Sequence, residues 1–250
     1  GGAVFGAPDT AIFVRRSTLS QNSAASGGAI FGATVLLDQS TLHDNHAGRG
    51  GGVYGSQELR IQESTLSGNT ASNTGGGAYS LGELTLYQST ITDNVAGSAA
   101  GLFQQGTALI AGGMIIAGNR LPTGDESNCS GDLGIVDAFN LSGDTSCGFT
   151  GASDLEDTNP LLGPLAVAGG PTMTHVPRLG SPAINASDLG FCIEVDQRGF
   201  LRPRDGAGSG TAQCDIGAVE FTPGFDDAIF GDGFETGSTG RWTDVIGSAP

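Results

Sequence analysis

Apolar residues recur at every second position in short segments of the first half of the chain. One such segment has Val35 and Leu37 as its apolar pair, and it is too short for a helix. A period of two in short segments bounded by Gly or Asn predicts β-strands. The later copies of the pair are Leu59 and Ile61, Leu84 and Leu86, and Leu109 and Ala111.

A second kind of segment has the form Ser-Thr-Leu and ends in Asn, and its apolar positions are Leu19, Leu42, Leu66, Ile91 and Ile116. The closing asparagines fall 23 to 25 residues apart, which is the length of one coil of a solenoid. We expect them to form a structural ladder, because Asn tolerates the left-handed conformation of a sharp turn and stacked amides can hydrogen-bond. The ladder positions are Asn22, Asn45, Asn69, Asn94 and Asn119.

Each unit opens with small residues and an apolar couple. The Gly pairs predict a bend where Cβ atoms would clash, and they lie at Gly1-Gly2, Gly27-Gly28, Gly51-Gly52 and Gly76-Gly77, followed by Ala100-Gly101. Three strands and three turns per unit predict an all-β, right-handed parallel β-helix with about 24 residues per coil. Tyr54 and Tyr79 align in this scheme with Val4, Ile30 and Phe103, which predicts an apolar stacking column.

The pattern divides the chain into three parts. We expect regular coils over residues 1–120, an irregular continuation of the β-helix over 121–221, and an acidic, Gly-rich tail over 222–250. The tail is interpreted as a sorting segment or as a strand that covers the edge of the last coil.

Four cysteines lie in the second half, and none belongs to a close C-x-x-C pair. They therefore favour disulfides in an oxidising compartment over a zinc site. Proximity favours Cys129 with Cys147 and Cys192 with Cys214, although four cysteines allow three connectivities.

Charge excludes several partners. The net charge is −16, and all ten basic residues are arginines, so nucleic acid and membrane surfaces are poor partners and no lysine can form a Schiff base. No apolar run is long enough to cross a membrane and no leader precedes Gly1. Because the chain starts inside a repeat, we expect that an upstream segment, the signal peptide included, has already been removed, and the cysteines favour a secreted or cell-surface protein.

The second half carries ordered motifs. Taken together they resemble the choice-of-anchor Q domain of bacterial secreted β-helix proteins, and the upstream repeats are also similar to those of polymorphic outer-membrane proteins. The resemblance implies export, a β-helix and C-terminal anchoring or sorting, and it supplies no catalytic residue. The motifs are Asn159-Pro160-Leu161-Leu162-Gly163-Pro164-Leu165, Gly169-Gly170-Pro171-Thr172-Met173-Thr174-His175, Gly180-Ser181-Pro182-Ala183-Ile184, Asp196-Gln197-Arg198-Gly199-Phe200, Arg202-Pro203 and Cys214-Asp215-Ile216-Gly217-Ala218-Val219-Glu220.

The repeats contain few candidate catalytic residues. Asp44 and Asp93 lie one residue before their asparagines and two coils apart, about 9.6 Å by the spacing of strands, which is at the outer edge of the separation in inverting glycosidases. A second column, which contains one acid, reads Arg16, Gln39, Glu63, Gln88 and Gly113. Neither column is the dense cluster that an active site needs, and ordinary solvated turn acids are the simpler interpretation.

Other polar groups have structural interpretations. His43 and His46 lack a third fixed metal ligand, and His175 is expected to be packed and hydrogen-bonded. A further group is expected to form an ion-pair network, with an anion site as the alternative: Asp196, Arg198, Arg202, Arg204 and Asp205. The sequence thus predicts no catalytic, cofactor or metal site, and only weak calcium binding on the acidic tail stays open.

These observations favour a non-catalytic structural or adhesive protein of the cell surface or extracellular matrix. Its expected partners are further copies of itself, docked head to tail in a filament, and surface or matrix components. The alternative is a carbohydrate-active enzyme or polysaccharide-binding protein of pectate-lyase-like architecture.

Overall fold

The structure, a computed structural model, describes residues 2–131, 133 and 139–226. Residues 227–250, which contain most of the predicted tail, lie outside the described residues. The strands in chain order are β1 (Val4–Phe5), β2 (Ala11–Arg15), β3 (Thr18–Ser20), β4 (Ser23–Ser26), β5 (Ile30–Asp38), β6 (Thr41–His43), β7 (His46–Arg49), β8 (Val53–Gln62), β9 (Thr65–Ser67), β10 (Thr70–Thr74), β11 (Ala78–Ser80), β12 (Glu83–Tyr87), β13 (Thr90–Thr92), β14 (Val95–Ser98), β15 (Leu102–Gln104), β16 (Ala108–Gly112), β17 (Ile115–Ala117), β18 (Cys129–Ser130), β19 (Leu141–Ser142), β20 (Leu162–Val167) and β21 (Met173–Pro177).

Parallel pairing between successive coils forms a β-solenoid of about five turns. The first sheet contains β1, β2, β5, β8, β11, β12, β15, β16 and β18; the second contains β3, β6, β9, β13, β17 and β19; the third contains β4, β7, β10 and β14. The Ser-Thr-Leu segments form the second sheet in the expected register, so that Leu19, Leu42 and Leu66 pair in a row. Leu42, Leu66, Ile91 and Ile116 are fully buried in the main hydrophobic core.

The other two sheets differ from the predicted assignment. The apolar couple and the following alternating segment belong to one sheet, and they run together as a single strand in β5 and β8. The third sheet is built from residues just after each ladder asparagine, such as Ser23–Ser26. The small residues in these segments carry no alternating apolar pattern, so the sequence pattern did not predict strands there.

Two predicted alignments are wrong by one residue. Leu84 and Leu86 pair with Ala108 and Ile110, instead of with Leu109 and Ala111. Tyr54 pairs with Phe31 and Tyr79, whereas Val4 and Ile30 belong to the neighbouring core-facing column. A shift of one residue moves a strand's side chains to the opposite face, so the tyrosines lie in an outward-facing column.

The asparagine ladder is present. Each buried amide donates from Nδ2 to Oδ1 of the next asparagine, at 2.9 Å from Asn45 to Asn69 and from Asn69 to Asn94, and at 2.8 Å from Asn94 to Asn119. Asn22 starts the ladder with a 2.9 Å bond to Asn45. Asn128 continues it at 2.8 Å from Asn119, and its spacing of nine residues departs from the repeat, so the repeat did not predict it.

The conformational reason given for the ladder is wrong. The left-handed position lies one residue earlier, and the ladder asparagines are not in that region. The left-handed residues of this column are Gln21, Asp44, Gly68, Asp93 and Gly118. The asparagines are therefore selected for their hydrogen bonds, which satisfy backbone groups inside the stack.

The predicted role of the Gly column is confirmed at its tightest points. A Cβ atom on Gly28 would lie 2.0 Å from the carbonyl oxygen of Gly51, and one on Gly51 would lie 2.4 Å from that of Gly76. These separations are far below van der Waals contact, so the coils can approach at this corner only without side chains.

The last part of the described chain turns back along the stack. The coils continue through β18 and β19, which pair with β15 and β17. Residues 159–226, here called the return segment, then form the antiparallel hairpin β20–β21 and one 3₁₀ turn at Leu189–Phe191. The disulfides are Cys129–Cys147 and Cys192–Cys214, as proximity predicted, and they indicate an oxidising, extracellular environment.

None of the described segments forms a helix of the length and hydrophobicity needed to span a bilayer.

Candidate functional site

The return segment is attached to the second predicted column of turn residues. Gln39 donates from Nε2 to the Asp196 carbonyl at 2.9 Å, and Gln88 accepts from the Ile193 amide at 2.7 Å. Between them, Glu63 Oε2 lies 3.2 Å from Nη2 of Arg202. This column therefore holds the return segment against successive coils.

Threonines of the second sheet make a parallel row of contacts. Thr41 donates to the Met173 carbonyl at 2.6 Å, Thr65 donates to Oε1 of Gln197 at 2.6 Å, and Thr90 accepts from the Ala218 amide at 3.2 Å. The outward face of three coils is thus covered by the return segment, which contributes two backbone groups and the Gln197 side chain to these hydrogen bonds.

Two buried arginines form an ion-pair network, of which only the Arg198–Asp196 pair was predicted. Arg198 lies 2.9 Å from Asp196 and 2.6 Å from Asp226, and Arg202 lies 3.0 Å from Glu220 in addition to its contact with Glu63. Because carboxylates already occupy both guanidinium groups, an anion site is not favoured here.

The other two members of the predicted network have different partners. Asp205 accepts hydrogen bonds from Asn185, Ser209 and Gly210. Arg204 donates to the Leu201 carbonyl at 3.2 Å. In the described part of the chain, neither one forms an ion pair with the residues predicted beside it.

Burial shifts the proton affinities of this network. Burial, reinforced by the charge of Glu220, raises the pKa of Asp215 to about 7. Burial also raises the pKa of Glu220, although Arg202 opposes that shift. Burial alone would lower the pKa of Arg202, but Glu63 and Glu220 raise it, so this guanidinium stays charged.

A polar cleft of about 390 Å³ opens where the coils, the connecting segment and the return segment meet. Its volume falls within the range of small-molecule sites. The side chains of most chemical interest in its wall are Thr92, Asp93, Arg120, Glu126, Asp157 and His175.

His175 is held in one protonation state. Its Nδ1 donates to the Gly163 carbonyl at 2.8 Å, so Nε2 is left to accept from the Ser67 hydroxyl, also at 2.8 Å. Burial lowers the pKa of His175, while the contact with Gly163 and the charge of Asp93 oppose that shift. The expectation of a packed, hydrogen-bonded histidine is confirmed, and its ring also faces the cleft.

The structure separates the two predicted acids. Asp93 lines the cleft, and its Oδ2 lies 4.0 Å from Nε2 of His175. Asp44 is not among the cleft residues; it contacts His43 at 2.9 Å, and its carboxylate lies over Gly68 of the next coil. They occupy equivalent turns but do not share a site.

The two exposed histidines have local partners. His43 contacts Asp44, and Nδ1 of His46 lies 2.9 Å from the Thr70 hydroxyl. Across residues 2–131, 133 and 139–226, no three His, Cys, Asp or Glu side chains converge closely enough to hold a metal ion.

The outward aromatic column is a stack of rings. Centroids are 4.9 Å apart from Phe31 to Tyr54 and from Tyr54 to Tyr79, and the stack continues to Phe5 and Phe103. Sugars bind aromatic rings through their faces, and the neighbours in this stack cover the faces of its inner rings. The column therefore favours coil-to-coil packing over a sugar platform.

The fold defines a class, the parallel β-solenoids. Comparisons with family models, curated proteins and solved structures give no match.

Proposed function

We propose that this chain is a non-catalytic, secreted or cell-surface β-helix protein with a structural or adhesive role. The observation that carries the proposal is the attachment of the return segment along the stack. Glu63 and Arg202 join parts of the chain 139 residues apart inside a buried network. This attachment of the return segment, together with the two disulfides, opposes separation of the coils under mechanical load.

The finer parts of the proposal are a choice-of-anchor Q type of protein and assembly into filaments. The quoted motifs support the first. The equivalence of the coils supports the second, because a coil that pairs with its neighbour through backbone and asparagine hydrogen bonds can pair with a coil of another copy in the same way.

Electron microscopy of the purified chain tests the structural role. We expect ordered fibres whose subunit repeat matches the length of the solenoid. Monodisperse single rods at every concentration would refute filament assembly and leave adhesion as the role to be tested.

A carbohydrate-active enzyme is a second candidate, favoured by one observation: Asp93 lies in the cleft beside a neutral histidine. In that case Asp93→Asn should abolish cleavage of the substrate polysaccharide, whereas Asp44→Asn should leave cleavage unchanged. Absence of cleavage across neutral and acidic polysaccharides would refute this candidate.

A further inference from the structure

The cleft wall contains a hydroxyl that the protein itself does not use. Thr92 is 5% exposed, and its side chain lies in the wall of the cleft. No hydrogen-bond partner for its Oγ1 is found among the described residues. The oxygen faces the open cleft and is not sealed inside the protein, so a molecule that enters the cleft can hydrogen-bond to it.

The residues of neighbouring coils that pair with Thr92 differ from it in their side-chain contacts. Ser67 pairs with Thr92 one coil before it, and its hydroxyl is engaged by His175. Ala117 pairs with Thr92 one coil after it and has no polar group. Within this short row, Thr92 alone presents a free hydroxyl to the cleft.

Asp93 adds an acceptor next to that hydroxyl. Its side chain is 63% exposed, and its Oδ2 lies 4.0 Å from Nε2 of the neutral His175 ring. Gly118 lies on the following coil, where a Cβ atom would come within 3.3 Å of the Thr92 hydroxyl and 3.4 Å of Oδ1 of Asp93. Glycine at this position leaves both polar groups accessible from the cleft.

The charge of the wall selects the ligand class. Asp93, Glu126 and Asp157 outnumber Arg120, and His175 is neutral. Anionic ligands are repelled, and the acids do not converge on a metal position in the described chain. A neutral molecule rich in hydroxyls can donate to the carboxylates and also pair with Thr92.

We propose that this cleft binds a neutral oligosaccharide through Thr92 and Asp93. The proposal rests on the adhesive part of the proposed function and supplies its ligand class. The cavity volume suits a small molecule or a short stretch of a glycan.

The test is an NMR titration of the intact chain with cellotetraose, maltotetraose and N,N′,N″,N‴-tetraacetylchitotetraose, each at millimolar concentrations. We expect at least one of them to shift the amide signals of Gly118 and Gly163. Tetragalacturonate should shift neither, because its carboxylates meet the acidic wall.

Variants distinguish ligand binding in the cleft from binding elsewhere on the surface. Asp93→Asn should weaken binding about tenfold, since the ligand hydroxyl then donates to a neutral amide oxygen instead of a charged carboxylate. Thr92→Val keeps the branched shape and should weaken binding several-fold without lowering the unfolding temperature. Asp44→Asn is the matched control, because Asp44 occupies the same left-handed turn position outside the cleft.

The proposal is overturned if none of the neutral tetrasaccharides shifts these amides, or if Asp93→Asn and Asp44→Asn bind equally. Preferential binding of tetragalacturonate would also overturn it. Each of these results leaves filament assembly open, because electron microscopy measures that property without a ligand.

Discussion

The guanidinium of Arg202 lies 3.2 Å from the Glu63 carboxylate, and both side chains are almost completely removed from solvent. Glu63 belongs to a turn of the stack, whereas Arg202 belongs to the return segment. A second carboxylate, Glu220, lies 3.0 Å from the same guanidinium. Arg202 thus joins the return segment to the stack through an ion pair, beside the hydrogen bonds of Gln39 and Thr41.

Arg202→Met should lower the free energy of unfolding by about 3 to 5 kcal/mol, because two buried carboxylates lose their partner. Chemical denaturation measures the change. Arg15→Met is the matched control: Arg15 pairs with Asp38 at 2.8 Å on the surface, where its side chain is 67% exposed, so the cost should stay below about 1 kcal/mol.

A second substitution keeps this prediction informative if Arg202→Met folds poorly. Adding Glu63→Gln removes one of the uncompensated charges, so the double variant should be more stable than Arg202→Met alone. Additive losses would show that Glu63 and Arg202 do not act as a pair.

We expect the stability of the protein to depend on pH through the carboxyl group of Asp215. Its pKa in the folded protein is raised to about 7, so between about pH 4 and pH 7 the folded state binds more protons than the unfolded state. The contribution of this group to stability therefore falls as pH rises, by at most about 1.4 kcal/mol per pH unit. Denaturation of the wild type and Asp215→Asn at several pH values measures the difference, which should be absent from the variant.

For His175 we expect the opposite dependence, in which its contribution to stability rises with pH. Burial lowers its pKa in the folded protein, so the unfolded state binds more protons as pH falls below about 6.5. The stability contributed by the neutral ring should decline on acidification through that range. The stability of wild type relative to His175→Gln should follow this decline, and a ¹⁵N NMR spectrum should show the proton on Nδ1, where Gly163 accepts it.

A protonated ring at neutral pH would contradict the assignment of His175, as would a relative stability that improves on acidification.

The repeated parts of this fold could be predicted from sequence because each coil repeats the same pattern of buried and polar positions. Leu42 and Leu66 carry the same alternation into the same core, and the ladder asparagines mark the length of each coil. One-residue errors arose where the evidence was thinner, as at Tyr54, because neighbouring apolar and aromatic positions fit either face of a strand.

The cleft and the attachment of the return segment to the coils could not be predicted in the same way. Glu63 meets Arg202 across 139 residues, and such a contact leaves no period in the sequence. Asp44 and Asp93 look equivalent within the repeat, and only the path of the return segment places one of them beside His175. The position of Asn128 was missed for a related reason, since a shortened coil breaks the spacing.

The ladder gives a prediction about the stack itself. Asn69→Ala should lower the free energy of unfolding by about 3 kcal/mol, since several buried groups lose partners at once. The side chain of Asn69 bonds to Leu42, Asn45 and Asn94. Asn73→Ala provides the control, because Asn73 is exposed and its replacement should change stability by less than about 0.5 kcal/mol. Equal effects of the two substitutions would contradict a structural ladder.

The last prediction concerns the Cys129–Cys147 disulfide, which closes a loop with a sequence separation of 18 residues where the coils become irregular. The chain-entropy relation assigns about 3 kcal/mol to a loop of this size. The double variant Cys129→Ser and Cys147→Ser should therefore unfold at lower denaturant concentration, in oxidised solution, than the wild type. Reductant should lower the stability of this variant further, because Cys192–Cys214 still restrains the return segment. If reductant leaves the stability of the double variant unchanged, the second disulfide does not contribute, and the return segment is held by its hydrogen bonds to the coils and by the Glu63–Arg202 pair.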